Sequence, residues 1–581
     1  VDVTELRKRA LAWRAADPDA QTRAEVDALL AELDGGGAPG ARAELADRFG
    51  LALEFGTAGL RGVLGAGPNR MNRAVVRRTT AGLARYLKAQ APEAARRGVV
   101  VGRDGRRMSA EFAEDVAGVL AAEGVPALVF PGLAPTPLVA FALGRLGAGG
   151  AVVVTASHNP PEYNGYKVYW GNGAQIVPPH DAGIAAAIDA VEGADRVPLL
   201  SPAEARARGL WRDLPDSVGE EYLEALLSLR LHREDAGRVR VVYTAMHGVG
   251  GPWALAALAR AGFTRVTPVA EQQAPDGAFP TVRFPNPEEP GAMDLALALA
   301  ERERADLVLA NDPDADRLAV VARAADGVLR TFTGNEVGVL LGHYLLTRGP
   351  QGPGPRAVLT TVVSSAQLGD IARAVGAHCE EVLTGFKWIA NRALALEAET
   401  GARLVLGYEE ALGYTVGTAV RDKDGIGAAL VFADLAAWCA GRGQTVPGYL
   451  EEVQRAHGLY VSAQTSVTLK GAEGLSAMKA IMDGFRARPP AAIGGMRVGE
   501  VRDYLPGGRL PPSNVLAFLL DGGARVTLRP SGTEPKIKYY FELRENLQPG
   551  ENPTLAHTRA QGRLTALQSA FMALAKERGQ P

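Results

Sequence analysis

The sequence predicts an α/β protein of three similar domains in series, followed by an α+β domain. Three observations carry this. At 581 residues the chain has room for about four domains of ~150 residues each. A strand–loop–helix–glycine–strand unit occurs three times: RRGVVVGRDGRR, SAEFAEDVAGVLAAEG and VPALVF; then GRVRVVYTAMHGVGG, PWALAALARAGF and TRVTPV; then PRAVLTTVVSS, AQLGDIARAVG and AHCEEVL. After these the pattern changes to strands in sequence (LYVSAQTSVTLKG, GMRVGEVRDY, VLAFLLDGGARVTLRPSG, IKYYFELRE) with one intervening helix and a terminal helix. Strands that alternate with amphipathic helices make βαβ units and sheets covered on both faces. Gly124, Gly262 and Gly376 stand where a helix C-terminal glycine belongs. Joints near DLPDSVGEEY, RTFTGNE and QRAHGLY give domains at 1–215, 216–328, 329–458 and 459–581.

Hydrophobic residues make up 47% and charged residues 22%, the balance of a globular protein. A net charge of −2 gives no reason to expect a nucleic-acid or membrane partner. Cys379 and Cys439 are too few for a disulfide framework or a zinc site, and fit buried thiols in a reducing cytosol. The first residues, VDVTELRKRALAWRAADPDAQ, are charged and helix-like without the apolar stretch of a secretory signal. No run nears the ~18 apolar residues of a membrane span, so a cytoplasmic location is expected.

Along the chain, EFGTAGLRGVLG comes first. Its glycines, Gly59 and Gly62, let backbone approach an anion, and Arg61 can bridge phosphate oxygens. In VVVTASHNPPEYNGYKVYWG an apolar strand delivers Ser157 and His158 to a loop. Asn159-Pro160-Pro161 ends the regular element, and Asn164-Gly165 is expected to turn before Lys167. No G-x-S-x-G elbow surrounds Ser157, which argues against a hydrolase triad. A serine here can carry a phosphoryl group, and can equally be a capping serine beside a hydrogen-bonded histidine. GVGGPW at Gly248 lacks the last glycine of a dinucleotide-binding motif, with Trp253 in its place, and no P-loop sequence occurs.

ADLVLANDPDADRLAVVA sets Asp312, Asp314 and Asp316 at alternate positions, which in extended backbone point to one side. Close carboxylates repel by ~4 kcal/mol per pair at moderate dielectric. A divalent cation relieves that, and all-oxygen ligation suits Mg²⁺. An EF-hand does not fit, since Arg317 and Arg323 stand where its Gly and Glu belong. A bare D-x-D-x-D is as compatible with a solvated acidic turn. LTGFKWIA with Lys387, LGYEEALGYTVG with Glu409 and Glu410, and RDKDGIGA with Lys423 put carboxylates beside lysines, as a sugar-hydroxyl site or a solvated charged face would. RPSGTEPKIK, with Arg529, Ser531, Gly532, Thr533 and Lys536, has the makings of a phosphate cradle or of a salt-bridged turn.

As an ordered set, TASHNP, DPDADR, GYEEALG and RPSGTEPKIKYY resemble the α-D-phosphohexomutase family over about residues 54–545. The resemblance implies mixed-sheet α/β domains and an α+β domain around a central cleft. It implies that Ser157 is the phosphorylated serine, with His158 assisting, and that Asp312, Asp314, Asp316 and an oxygen on Ser157 hold Mg²⁺. Arg61 and Lys167 would flank the phosphoryl group, Arg317 would follow the metal loop, and Lys423 would be a sugar-side or acid/base group. Thr57, Gly385, Lys387 and Glu409 would contact substrate, and Arg529, Ser531, Gly532 and Thr533 would clamp the unreacting phosphate. The implied reaction interconverts hexose 1- and 6-phosphates, glucose first, with glucose 1,6-bisphosphate as activator and intermediate. Pentose or mannose phosphates, a glucose 1,6-bisphosphate synthase, and last a non-catalytic sugar-phosphate sensor are the alternatives. The sequence departs from several branches at Ala411, where a serine follows the sugar loop's second residue. Y-E-E-A-L-G-Y, GFKWI and PKIKYY resemble most the branch of phosphoglucomutases and phosphopentomutases.

Overall fold

The computed structural model describes residues 2–35, 39–352, 354–469, 471–530 and 536–578. The chain packs as two compact units, one of residues 1–322, 390–395 and 413–442, the other of 323–389, 396–412 and 443–581. Among the described residues no single helix is long and apolar enough to cross a membrane.

The first unit opens with three helices, Val3–Ala16, Ala20–Asp34 and Pro39–Phe49. They share a small core of Leu6, Val26, Leu30, Leu45 and Phe49. A six-stranded sheet follows, in the order Leu60–Val63, Tyr163–Trp170, Gly150–Val154, Val99–Arg103, Ala127–Val129 and Trp211–Asp213. Its first two pairings are antiparallel and the other three parallel, so the sheet is mixed. The strand Gly150–Val154 is buried at every residue, which is why it reads as one apolar run.

The expected turn at Asn164-Gly165 does not form. Both residues lie within the strand Tyr163–Trp170, opposite Gly62 and Arg61. A side chain at Gly165 would meet the carbonyls of Thr155 at 2.5 Å and Leu60 at 2.8 Å, so the glycine serves close strand approach.

The second sheet of this unit is also mixed. Val241–Thr244 pairs in parallel with Val266–Pro268 and Leu307–Ala310, and the latter pairs antiparallel with Ala319–Arg323. The helix Gly425–Gly441 is buried on nearly every side. Asp424 caps it, accepting from the amides of Ile426 and Gly427 and from the Tyr222 hydroxyl.

In the second unit the strand Arg356–Thr361 runs parallel between His378–Val382 and Arg403–Glu409. The helix Gly334–Arg348 starts in a capping box of Thr333 and Glu336. Six antiparallel strands follow, ordered Leu459–Thr468, Lys536–Glu545, Arg525–Pro530, Leu516–Leu520, Met496–Asp503 and Ala492–Ile493. Helices Gly471–Ala487 and Pro553–Arg578 cover this sheet, with Phe485 and Phe571 stacked at 4.9 Å over its buried residues.

The threefold repeat extends to the helix caps. Gly124, Gly262 and Gly376 are left-handed, with φ of 80°, 86° and 66°. In each case the following amide closes back on the helix: Val125 to Leu120 at 2.8 Å, Phe263 to Leu258 at 3.0 Å and Ala377 to Ala372 at 2.8 Å. This is one Schellman motif used three times, each turning a helix into a parallel neighbouring strand.

Candidate active site

Ser157 ends the run that begins in the strand Gly150–Val154. It is 3% exposed, and its backbone is left-handed at φ 53°, a conformation a non-glycine residue holds only where its surroundings impose it. Its Oγ donates to Asp312 Oδ2 at 2.9 Å across 155 residues of sequence, and His158 Nδ1 lies 3.1 Å from the same oxygen.

The three aspartates are all buried. They do not alternate along extended backbone as expected from sequence. The chain turns, with the Ala315 amide on the Asp312 carbonyl at 2.9 Å and Ala315 left-handed at φ 58°. The turn, not a pleat, brings one oxygen from each carboxylate within 4.8 Å of the others. Thr136 Oγ1 and Lys167 Nζ each donate to Asp314 Oδ2 at 2.6 Å. Lys167 also donates to Asp316 Oδ2 at 2.8 Å, and Lys423 Nζ lies 3.3 Å from that oxygen. The Arg317 amide donates to Asp312 Oδ1 at 3.0 Å, and the Asn311 side chain donates to the Arg317 carbonyl at 2.6 Å.

Asp314 Oδ1 and Asp316 Oδ1 are buried with no hydrogen-bond partner. Buried carboxylate oxygens without donors are costly, and here they belong to the cluster whose third member, Asp312, accepts from Ser157 Oγ. A divalent cation would satisfy them, and an all-oxygen set of three carboxylates fits Mg²⁺.

Charge shapes the rest. Burial pushes Asp312 well above the usual carboxylate range, and Asp314 and Asp316 add to this. For Asp316, burial acts upward but Lys167, Lys423 and Arg317 outweigh it and hold its carboxyl far below that range. Burial would lower Lys167, yet Asp314 and Asp316 raise it, so it is a cation. His158 is lowered well below the ordinary imidazole range by burial, then by Arg317 and Arg61, so its ring is neutral near pH 7.

Arg61 donates to Asn159 Oδ1 at 3.1 Å, joining the basic loop to the serine loop. The turn that carries Thr57 is closed by reciprocal bonds between Gly56 and Gly59. Gly59 has φ 75°, and a Cβ there would lie 1.8 Å from the Tyr166 carbonyl oxygen, so this loop docks directly on the strand that bears Lys167. The structure therefore gathers Ser157, His158, Arg61, Lys167, Arg317, Lys423 and the three aspartates in one place.

Gly385, Lys387, Glu409 and Arg529 belong to the second unit. Gly385, at φ 108°, starts the helix Phe386–Thr400 that carries Lys387. Glu409 ends the strand Arg403–Glu409. The Tyr540 phenol is raised by burial and then by Glu410, opposed by Arg529 and raised further by Glu409. Glu410 is turned to the protein, accepting from Ser364 Oγ at 2.9 Å and Thr361 Oγ1 at 3.2 Å. Ser531, Gly532 and Thr533 lie outside the described residues.

Sequence reasoning missed Thr136, which arrives from a helix start 178 residues before Asp314. It also missed Asp422, to which the Tyr169 hydroxyl donates, as does Gln175 Nε2 at 3.0 Å. The signal for Asp422 was its place beside Lys423 in RDKDG; nothing local marks Thr136.

A serine hydroxyl on a buried triple-carboxylate centre, ringed by lysines and arginines in a serial α/β fold, defines a phosphoryl-transfer enzyme. Family models of phosphoglucomutase/phosphomannomutase match throughout: α/β/α domain I at 52–194, domain II at 220–327, domain III at 333–456 and the C-terminal domain at 469–547. The chain is 42% identical over 487 residues to the Haemophilus influenzae protein named "Probable phosphomannomutase", covering 82% of this chain and 93% of that one. It is 36% identical over 561 residues to human phosphopentomutase (91% and 90% covered) and 37% identical over 569 residues to human glucose 1,6-bisphosphate synthase (91% and 89%). In fold it is similar to a phosphoglucomutase/phosphomannomutase family protein from Burkholderia thailandensis, with a TM-score of 0.68, 22% identity and 91% and 97% of the chains covered. The chain belongs to the phosphoglucomutase/phosphomannomutase family, the α-D-phosphohexomutases. With its family it is an intramolecular phosphotransferase, and Mg²⁺ is the family's metal.

Proposed function

We propose that the protein interconverts a hexose 1-phosphate and its 6-phosphate, glucose first, through a phosphoryl group carried on Ser157. The observation that carries this is the Ser157 Oγ–Asp312 Oδ2 contact of 2.9 Å, made to a cluster of three aspartates in which two buried carboxylate oxygens are unpartnered. In the forward half, the bond between Ser157 Oγ and phosphorus breaks and one forms to the free hydroxyl of the sugar phosphate. Ser157 Oγ takes up a proton, and the sugar hydroxyl gives one up. The product is a sugar 1,6-bisphosphate. It turns over, and its other phosphoryl group returns to Ser157.

Neutral His158, 3.1 Å from Ser157 Oγ, handles the serine's proton. Arg61, Lys167 and Arg317 set positive charge around the phosphoryl oxygens, where charge concentrates in the transition state. Lys423 is the sugar-side cation. Asp312, Asp314, Asp316 and a Ser157 oxygen would hold Mg²⁺, which supplies Lewis-acid stabilisation of phosphoryl charge when bound. Gly385, Lys387 and Glu409 read the sugar, Thr57 contacts substrate, and Arg529 with Ser531, Gly532 and Thr533 takes the distal phosphate. The domain limits 1–215, 216–328, 329–458 and 459–581 and a cytoplasmic location go with this reading.

A pentose phosphate is the second reading, favoured by relatives named phosphopentomutase that match over 91% of this chain. Turnover of glucose, mannose, glucosamine and ribose 1-phosphates with trace bisphosphate decides between them; a preference for ribose 1-phosphate would replace the hexose assignment. Net release of bisphosphate would instead make the protein a synthase. Ser157→Ala is expected to abolish isomerisation, and near-normal rates in that variant would end the phosphoserine scheme. Intact mass before and after phosphatase treatment reports the phosphate directly.

A further inference from the structure

Arg106, in the loop GRDGRR, is not assigned above, yet its side chain is 1% exposed. Its guanidinium is spent on the backbone of the serine loop. Nη2 donates to the Ser157 carbonyl at 2.6 Å and to the Asn159 carbonyl. Nη1 donates to the carbonyls of Pro160 at 2.8 Å and Tyr163 at 3.2 Å. One planar fork thus holds four carbonyls within seven residues, including those of Ser157 and Asn159 on either side of His158.

The fork is itself fixed on both sides. Its Nε faces Asp104 Oδ2 at 3.4 Å, and Asp104, also 1% exposed, accepts on Oδ1 from the Arg106 amide at 3.0 Å and from Ser109 Oγ at 2.8 Å. Phe279 lies under the guanidinium at 4.8 Å. Gly277 lets that segment come close, since a Cβ there would stand 2.8 Å from the Gly105 carbonyl oxygen and 3.0 Å from Arg106 Cα.

Ser157 is therefore tied at both backbone groups: its amide donates to Thr155 Oγ1 at 2.8 Å, and its carbonyl accepts from Arg106. These bonds bracket the residue whose backbone is left-handed.

We propose that Arg106 is a positioning residue for phosphoryl transfer, holding the left-handed Ser157 so that its Oγ faces the aspartate centre, with Thr155 as the second arm of the bracket. This rests on the reading that Ser157 carries the phosphoryl group. Lysine cannot replace the fork, because its three donors diverge from one point and reach one or two of the four carbonyls. Misplacement of a reacting atom by about 1 Å costs on the order of 100-fold in rate.

The test is steady-state kinetics of Arg106→Lys and Arg106→Ala on glucose 1-phosphate with trace glucose 1,6-bisphosphate. It is run beside mass-spectrometric measurement of phosphate transfer from the bisphosphate to dephosphorylated Ser157. In folded variants, kcat and the rate of Ser157 phosphorylation are expected to fall by about 100-fold, with KM within about threefold. Millimolar guanidinium is expected to restore much of the loss in Arg106→Ala and none in wild type. A purely architectural residue would lose folded protein instead, with the kcat of the folded fraction unchanged, and that outcome overturns the proposal. So does a folded Arg106→Lys within twofold of wild type. If the Arg106 variants do not fold, Thr155 decides: Thr155→Val should lower kcat at least tenfold while Thr155→Ser retains it, and equal rates overturn the proposal. Wild type that never acquires phosphate on Ser157 overturns the functional reading itself, whereas normal phosphorylation in wild type and variants alike overturns only the role of Arg106.

Discussion

Gly248 packs against the backbone of Pro313, and a Cβ built there would stand 2.4 Å from Pro313 Cα and 2.5 Å from its carbonyl oxygen. The Val249 amide donates to that same carbonyl at 2.8 Å. By sequence the GVGG run is an incomplete dinucleotide motif; in the structure its glycine makes room for the metal loop. Gly248→Ala must displace backbone on one side or the other, so it is expected to cost about 1–3 kcal/mol, as overpacking does. It should also raise the Mg²⁺ concentration for half-maximal activity several-fold while the KM for sugar phosphate stays near wild type. An unchanged Mg²⁺ requirement would show that the loop does not depend on this contact. The same logic separates Asp314 from its neighbours. Thr136 and Lys167 both bond its Oδ2, leaving Oδ1 for a cation.

The helices Gly334–Arg348 and Val446–His457 meet through His343, whose Nδ1 lies 2.6 Å from the Tyr449 hydroxyl and whose ring lies 5.3 Å from that of His457. Burial, and then the neighbouring His457, lower His343 to about 4 from the ordinary 6.5. The folded state therefore favours the neutral ring. Its contribution to stability is complete above pH about 6.5, declines as pH falls through that value, and is gone below about 4; it amounts to up to ~3 kcal/mol. Urea midpoints measured from pH 7 to pH 4 should fall less steeply in His343→Gln than in wild type. Identical acid limbs would show that the helix pair does not sense this imidazole. His343 is not part of the proposed site, so the variant's kcat at pH 7.5 is expected to match wild type.

At the scale of the molecule, the serine, the three aspartates and the cations that balance them all lie in one compact unit, while Glu409 and Arg529 lie in the other. Ligand that binds only folded protein stabilises it by RT ln(1 + [L]/Kd), about 2.7 kcal/mol at 100 times Kd. Calorimetry is expected to resolve two transitions, of which Mg²⁺ raises one, and Asp314→Asn should abolish that rise. An equal shift of both transitions, or the same shift in Asp314→Asn as in wild type, would contradict a single Mg²⁺ centre in the first unit.

The succession of elements was legible in the chain because it is written in short-range pattern. Apolar runs became parallel strands, and Gly124, Gly262 and Gly376 became three copies of one helix cap. The ordered loops TASHNP and DPDADR named the serine and the aspartates that the structure brings together. Pattern failed where backbone conformation depends on neighbours distant in sequence. Asn164-Gly165 looks like a turn, yet it is strand because two other segments crowd it. The aspartates look pleated, yet they converge through a turn braced by Pro313 and Ala315. Thr136 and Arg106 carry no local mark of their contacts, and Asp422 only its place beside Lys423. The sequence by itself determined which elements form and which side chains can do chemistry, since propensity and turn preference act over a few residues. Only the tertiary structure decided which of those side chains meet, because a contact such as Ser157 to Asp312 is set by how two sheets pack and not by any spacing along the chain.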